Sequence, residues 1–248
     1  MSLRFPLIRL ILFLVVMTAI ANPAADQARV LIVTGVDYPG HHWRETSPAL
    51  KQILATDQRL DVRIVEDPHY LDSAALTNYA VVLLNFQNWE VPGPGVAARE
   101  NLRRYVERGG GLMSVHFSCG AWHGEWPEFQ NILGRVWHGA GPDKPQHDPR
   151  GRFTVRLVDA DHSITRGLND FETDDELYTC LTGTTPIHVL AEAKSKVDGK
   201  NHPMALVHEY GQGRVFVTTL GHDVKALTNS IVPQLLRRSC AWAARLPE

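Results

Sequence analysis

Residues 109–120 read GGGLMSVHFSCG. The glycines stop whatever helix precedes them. The run 112–117, LMSVHF, is short and almost wholly apolar, as a strand covered on both faces must be. Ser118-Cys119-Gly120 then turns the chain sharply, so that His116 stands at the strand end. Upstream the same grammar repeats. Residues 29–35 (RVLIVTG), 61–66 (DVRIVE) and 79–85 (YAVVLLN) read as strands. Between the first two, Ser47 and Pro48 read as N-cap and first residue of a helix with Leu50, Ile53 and Leu54 on one face. Residues 95–108 read as a second helix, with Val96, Leu102, Tyr105 and Val106 inward. Apolar strands alternating with helices specify a doubly wound, mostly parallel α/β sheet.

Downstream the pattern changes. Residues 153–158, 188–193, 204–209 and 214–219 are short strands, and Tyr210-Gly211-Gln212-Gly213 is a turn between two of them. A hairpin extension that returns to the core at about residue 214 fits this, followed by a last helix over 229–245 with Pro233 near its start. One domain over residues 28–246 is expected. Ahead of it, residues 1–21 carry Arg4 and Arg9, an apolar run and Ala19-Ile20-Ala21. They read as a secretory signal peptide, the alternative being an uncleaved anchor, and either places the domain outside the cytoplasm, secreted or periplasmic.

The composition closes off several classes. With 248 residues, 44% apolar and 21% charged, the chain is neither disordered nor a multi-span membrane protein. Its 25 basic against 27 acidic side chains give a net charge of −2, without the positive bias that nucleic acid demands. Three cysteines, Cys119, Cys180 and Cys240, cannot close a disulfide framework, so at least one is free. HExxH, GxSxG, GxxxxGKS/T and GxGxxG are all missing.

In a sheet of this kind ligands sit beyond the carboxyl ends of the strands. Histidine, suited to acid–base work and to metals, is concentrated there: His41, His42, His116, His123, His138 and His222. His116 is the central candidate, as base, acid or ligand; Cys119 is an alternative nucleophile. Of the acids Asp174-Asp175-Glu176, read as a loop, Glu176 is taken to turn inward because Leu177-Tyr178 follows it. The expected catalytic set is His116, Glu176 and His222. The expected substrate contacts are His41, His42, Trp43, Asn85, Trp89, Trp126, His138, Tyr178 and Asp223, the last either orienting a ring or capping a helix. Trp122 and Trp137 also lie near these loops, where indole rings suit the C–H faces of sugars. A divalent metal on His116, His138, His222 and Glu176 is a second reading, and a non-catalytic sugar-binding domain a third.

The stretch His162-Ser163-Ile164-Thr165-Arg166-Gly167-Leu168, then Phe171, Asp175-Glu176-Leu177-Tyr178, Tyr210-Gly211-Gln212-Gly213-Arg214-Val215-Phe216 and Leu220-Gly221-His222-Asp223 resembles the ThuA-like (trehalose-utilisation) family. Gly109–Gly120 is similar to that family's strand and elbow, and the likeness runs over about residues 29–244. It implies a flavodoxin-like fold of the class I glutamine amidotransferase kind. It also implies a role on small-molecule carbohydrates, glycosides or 3-keto-glycosides, by His/Glu acid–base chemistry. The amidotransferase nucleophile is a cysteine at the elbow; here that position holds His116, which argues against glutamine hydrolysis.

Overall fold

The computed structural model describes Met1, residues 27–141 and residues 144–247. The expected signal segment, beyond Met1, lies outside the described residues. The elements run β1 (Ala28–Val33), α1 (Trp43–Leu54), β2 (Leu60–Val65), β3 (Val81–Leu84), α2 (Val96–Glu107), β4 (Gly111–Val115), α3 (Glu128–Leu133), β5 (Gln146–His147), β6 (Gly151–Leu157), β7 (Phe171–Asp175), β8 (Tyr178–Thr179), β9 (His188–Lys194), β10 (Asn201–Tyr210), β11 (Gly213–Thr218), α4 (Val224–Leu227) and α5 (Val232–Ala243).

A nine-stranded sheet of order β2-β1-β3-β4-β11-β10-β9-β6-β7 carries the fold. Its first part is parallel: β1 pairs with β2 and β3, β3 with β4, and β4 with β11. Beyond β11 every pairing is antiparallel. The two short strands β5 and β8 pair separately. The parallel strands are buried on both faces. Val30, Ile32, Leu83 and Met113 pack under α1 and α5 with Leu50, Leu54, Leu235 and Leu236. On the other face Leu31, Val33, Val82 and Leu84 meet Leu102, Val106 and Phe129 of α2 and α3. Removing one such leucine to alanine costs ~2–5 kcal/mol.

Two readings of the sequence are corrected here. Helix α1 starts at Trp43, with His42 in the N-cap position, so Pro48 lies inside it. The reason is a buried demand for oxygen: the Asn85 amide donates to Thr46 Oγ1 at 3.1 Å and to Ser47 Oγ at 2.8 Å, so those hydroxyls serve Asn85 instead of capping. Second, of the acids Asp174-Asp175-Glu176 read as a loop, the first two belong to strand β7 and only Glu176 lies beyond it. In β7 Phe171, Thr173 and Asp175 are buried, and Glu172 and Asp174 point outward. Alternation on a sheet edge explains how two acids leave the core and one enters it.

Among the described residues, no helix is long and apolar enough to cross a membrane. All three cysteines are free, with Cys119 and Cys240 buried.

Candidate functional site

Four loops meet above the carboxyl ends of β1, β4, β11 and β7, bringing His41, His116, His222 and Glu176 together. One ligand-type atom from each lies within 4.8 Å of every other.

His116 is the first residue of a 3₁₀ turn, His116–Gly120, at the end of β4. Its φ is +48°, a left-handed conformation that a side chain with a Cβ seldom takes. The strain is held by burial, for the ring is wholly enclosed. Nδ1 lies 2.6 Å from the Thr219 carbonyl and must donate to it. That fixes the tautomer: Nε2 of the neutral ring is an acceptor, and the Tyr178 hydroxyl donates to it at 2.9 Å. Glu176 Oε2 lies 3.4 Å from the same Nε2.

His222 follows a glycine that the fold requires. At Gly221 φ is +111°, and a Cβ would lie 2.8 Å from Leu227 Cδ2. The Gly221 N–H donates to Asp175 Oδ2 at 2.7 Å, and those of His222 and Glu176 to Asp175 Oδ1 at 3.2 and 2.8 Å. One buried carboxylate therefore anchors the backbone of both Glu176 and His222. His222 Nδ1 then lies 3.2 Å from Glu176 Oε2, though its N–H does not point along that line.

His41 is the fourth member. It stacks on Phe117 with ring centroids 4.4 Å apart, and stands edge-on to His116 at 5.2 Å and His222 at 5.1 Å. Both of its ring nitrogens are buried without a hydrogen-bond partner. Burial, reinforced by the neighbouring imidazoles of His116 and His222, pushes its pKa down to about 2. It is a neutral ring with an unused lone pair.

Burial alone would raise the Glu176 carboxyl, but the His116 and His222 rings beside it prevail and hold it well below the usual range. Glu176 in turn raises the His222 imidazole against the opposing effect of burial. Asp175 is pushed up by burial, partly offset by His116 and by the three N–H donors. Cys119 is raised to about 12 by burial, so the thiolate is not accessible near neutral pH.

The cluster opens onto an aromatic mouth. Trp89, 36% exposed, stands edge-on to Tyr38 at 5.4 Å and 6.2 Å from Trp137. Trp137 packs edge-on to Tyr178 at 4.4 Å and lies 6.0 Å from His147, whose Nδ1 is 4.0 Å from Glu176 Oε1. Grooves of ≈ 550 Å³ and ≈ 530 Å³ flank this rim, one along Trp89, Trp137, His123 and Glu125, the other along Tyr38, His41 and Glu90.

Of the expected catalytic residues, His116, Glu176 and His222 converge. Several others do not join them. His138 is not a ligand candidate: its Nε2–H donates to the Ala121 carbonyl at 2.8 Å, and its ring pairs with His123 at 5.2 Å. His41 takes its place. His42 is exposed at the start of α1. Trp43 is buried with its indole N–H on Asp37, and Asn85 is spent on Thr46 and Ser47. Trp126 and Trp122 are core, packed on each other and on Phe129. Tyr178 is buried and holds His116 instead of facing the mouth. Asp223 caps α4 through the Ala226 N–H and pairs with Arg150 at 2.5 Å. Only Trp89 of the expected aromatic contacts is both exposed and at the rim. Sequence reasoning did not single out Asp175, His147 or Tyr38. Asp175 was visible as the neighbour of Glu176, but the reading admitted only one inward acid.

The family model described as ThuA, trehalose utilisation, matches residues 29–243. No curated protein matches the chain. Among solved structures, a ThuA-like protein from Parabacteroides merdae ATCC 43184 has a TM-score of 0.77 at 25% identity, over 88% of this chain and 90% of its own. A ThuA-like protein from Bacteroides uniformis ATCC 8492 gives 0.71 at 18%, over 91% and 95%. A cold-adapted β-galactosidase from Rahnella sp. R3 gives 0.59 at 16%, over 90% of this chain but 32% of its own, a likeness of fold alone.

Proposed function

The chain belongs to the ThuA (trehalose utilisation) family, and from that premise we propose that it is a carbohydrate-processing enzyme acting on glycosides, best on 3-keto-glycosides, outside the cytoplasm. The observation that carries this reading is the pairing of Glu176 Oε2 with two imidazoles, at 3.4 Å from His116 Nε2 and 3.2 Å from His222 Nδ1, at the floor of an aromatic mouth. A partly exposed carboxylate beside imidazole rings can take a proton and return it. Trp89 and Trp137 offer flat apolar faces beside polar edges, the surface that a sugar ring stacks on.

A ketone at C3 acidifies the hydrogen on C2. Glu176 takes that proton. The electron pair of the C2–H bond becomes the C1–C2 double bond as the C1–O bond breaks, and the departing oxygen takes a proton from the His222 imidazolium. The Glu176 proton then passes back to His222, restoring both groups. The His116 ring stands beside the carboxylate during the transfer, itself fixed by Thr219 and Tyr178. Positioned proton transfer of this kind contributes ~10²–10⁴-fold.

The test is a panel of glycosides and their 3-keto derivatives, including those of trehalose, with release of the leaving alcohol as readout. Faster release from the keto compounds supports the reading. A panel left intact by the pure protein, with and without added divalent metal, refutes it and leaves a sugar-binding domain as the alternative.

A further inference from the structure

We propose that His41, His116, His222 and Glu176 together bind one divalent transition-metal ion, zinc or an ion of similar chemistry. The set differs from the one that strand-end position alone suggests, because His41 replaces His138. Three imidazoles and a carboxylate suit a borderline ion, whereas magnesium and calcium prefer all-oxygen shells.

Three features argue for an ion over a plain hydrogen-bonded cluster. First, both His41 ring nitrogens are buried and unpartnered. A buried polar atom left bare costs ~1–3 kcal/mol; a metal bond would satisfy one nitrogen of this ring. His222 Nδ1 is buried and lacks a hydrogen bond too. Second, the supporting contacts are those of a ligand shell. Nδ1–H of His116 is committed to the Thr219 carbonyl at 2.6 Å, which aims the Nε2 lone pair into the cluster. Asp175 fixes the backbone of Glu176 and His222 at once. Third, the four donor atoms already lie within 4.8 Å of one another. Ligands ~2.1 Å from one ion in tetrahedral array are ~3.4 Å apart, so the shell need tighten by only about an ångström or so. The Tyr178 hydroxyl, 2.9 Å from His116 Nε2, is the group that competes for a ligand lone pair.

The binding stands independently of the proposed reaction; only the ion's role rests on it. With Oε2 on the ion, Oε1 of Glu176 remains free toward His147, 4.0 Å away, and still serves as base. The cation would replace the His222 proton in stabilising negative charge on the substrate; the departing oxygen would take its proton from water, and the hydroxide left behind the proton that Glu176 holds, restoring the carboxylate.

The experiment uses full-length mature protein purified without a polyhistidine tag, stripped with chelator and titrated with zinc, cobalt, magnesium or calcium. Expected are one tightly held zinc or cobalt per chain by elemental analysis, a melting temperature that rises with zinc concentration, and no such rise with magnesium or calcium. His41→Ala and His222→Ala should each weaken binding at least ~10-fold, and Tyr178→Phe should strengthen it. Two substituted ligands, one in the core and one at the rim, guard against a variant that fails to fold. Retention of no ion with no thermal shift overturns the proposal, as does wild-type affinity in both ligand variants. Ion binding without turnover of any glycoside would sink the proposed reaction alone, and turnover by ion-free protein only the ion's part in that reaction.

Discussion

Two pairs of histidines at the same end of the sheet have opposite fates. His123 and His138 face each other at 5.2 Å, and His138 is closed off by the Ala121 carbonyl. His41 and His116 face each other at the same 5.2 Å, yet neither ring nitrogen of His41 has a hydrogen bond and His116 turns Nε2 toward a carboxylate. Both pairs follow strands or lie near the elbow, and both are rich in aromatic neighbours. The difference is the partner of the second nitrogen. Both His138 and His116 donate one N–H to a backbone carbonyl, but only His116 sets its other nitrogen beside a carboxylate and a bare neighbouring ring.

Breaking the crest pair should therefore cost far more than breaking the other. His116→Gln is expected to lower kcat on a responsive keto-glycoside by ~10²–10⁴-fold, since it removes the imidazole beside Glu176; a circular dichroism spectrum and melting curve check that the variant folds. A loss of less than threefold would erase the distinction. The rim comes next. Trp89→Ala should raise KM by ~3–10-fold with kcat little changed, the size of one stacking contact. Steady-state kinetics separates the two parameters, and a fall confined to kcat would place Trp89 elsewhere in the account.

The structural side of the comparison should be quiet in activity. His138→Gln keeps an N–H donor for Ala121 and should lose no more than ~1 kcal/mol by urea unfolding, with turnover unchanged. Cys119→Ala should likewise leave turnover intact, because its buried thiol stays protonated. Loss of activity in either would return His138 or Cys119 to the chemistry.

The smallest effect is on stability against pH. Burial lowers the pKa of His138 and of His208, whose Nε2–H donates to the Ile132 carbonyl at 2.8 Å. In the unfolded chain these rings protonate near ~6.5. Between that value and the lower folded one, the unfolded state holds more protons, so stability falls as pH drops through the window. The double variant His138→Gln, His208→Gln should flatten the slope of melting temperature below about pH 6.5. An unchanged slope would mean the burial of these rings contributes nothing.

The fold was far more legible than the site. Strands β1, β3 and β4 announce themselves because a parallel strand covered on both faces must be apolar throughout. Strand β7 did not, since on an edge its Glu172 and Asp174 can face outward and make FETDD look like a loop. The start of α1 was misplaced because Ser47 and Pro48 form a good cap locally, and only the distant Asn85 decides otherwise. His116, Glu176 and His222 could be chosen from position along the chain. The choice between His41 and His138 could not, for it depends on which ring meets the Ala121 carbonyl and which is stacked on Phe117, contacts between residues remote in sequence. Tyr178 shows the same limit: its neighbourhood was right, but its hydroxyl turns inward to His116.

The most direct test is proton NMR of a methyl 3-keto-glucoside incubated in D₂O with the wild type and with Glu176→Gln. The account predicts loss of the C2–H signal together with release of methanol in the wild type, and neither in the variant. An unaltered spectrum with the wild type, or equal rates in the two proteins, would contradict it.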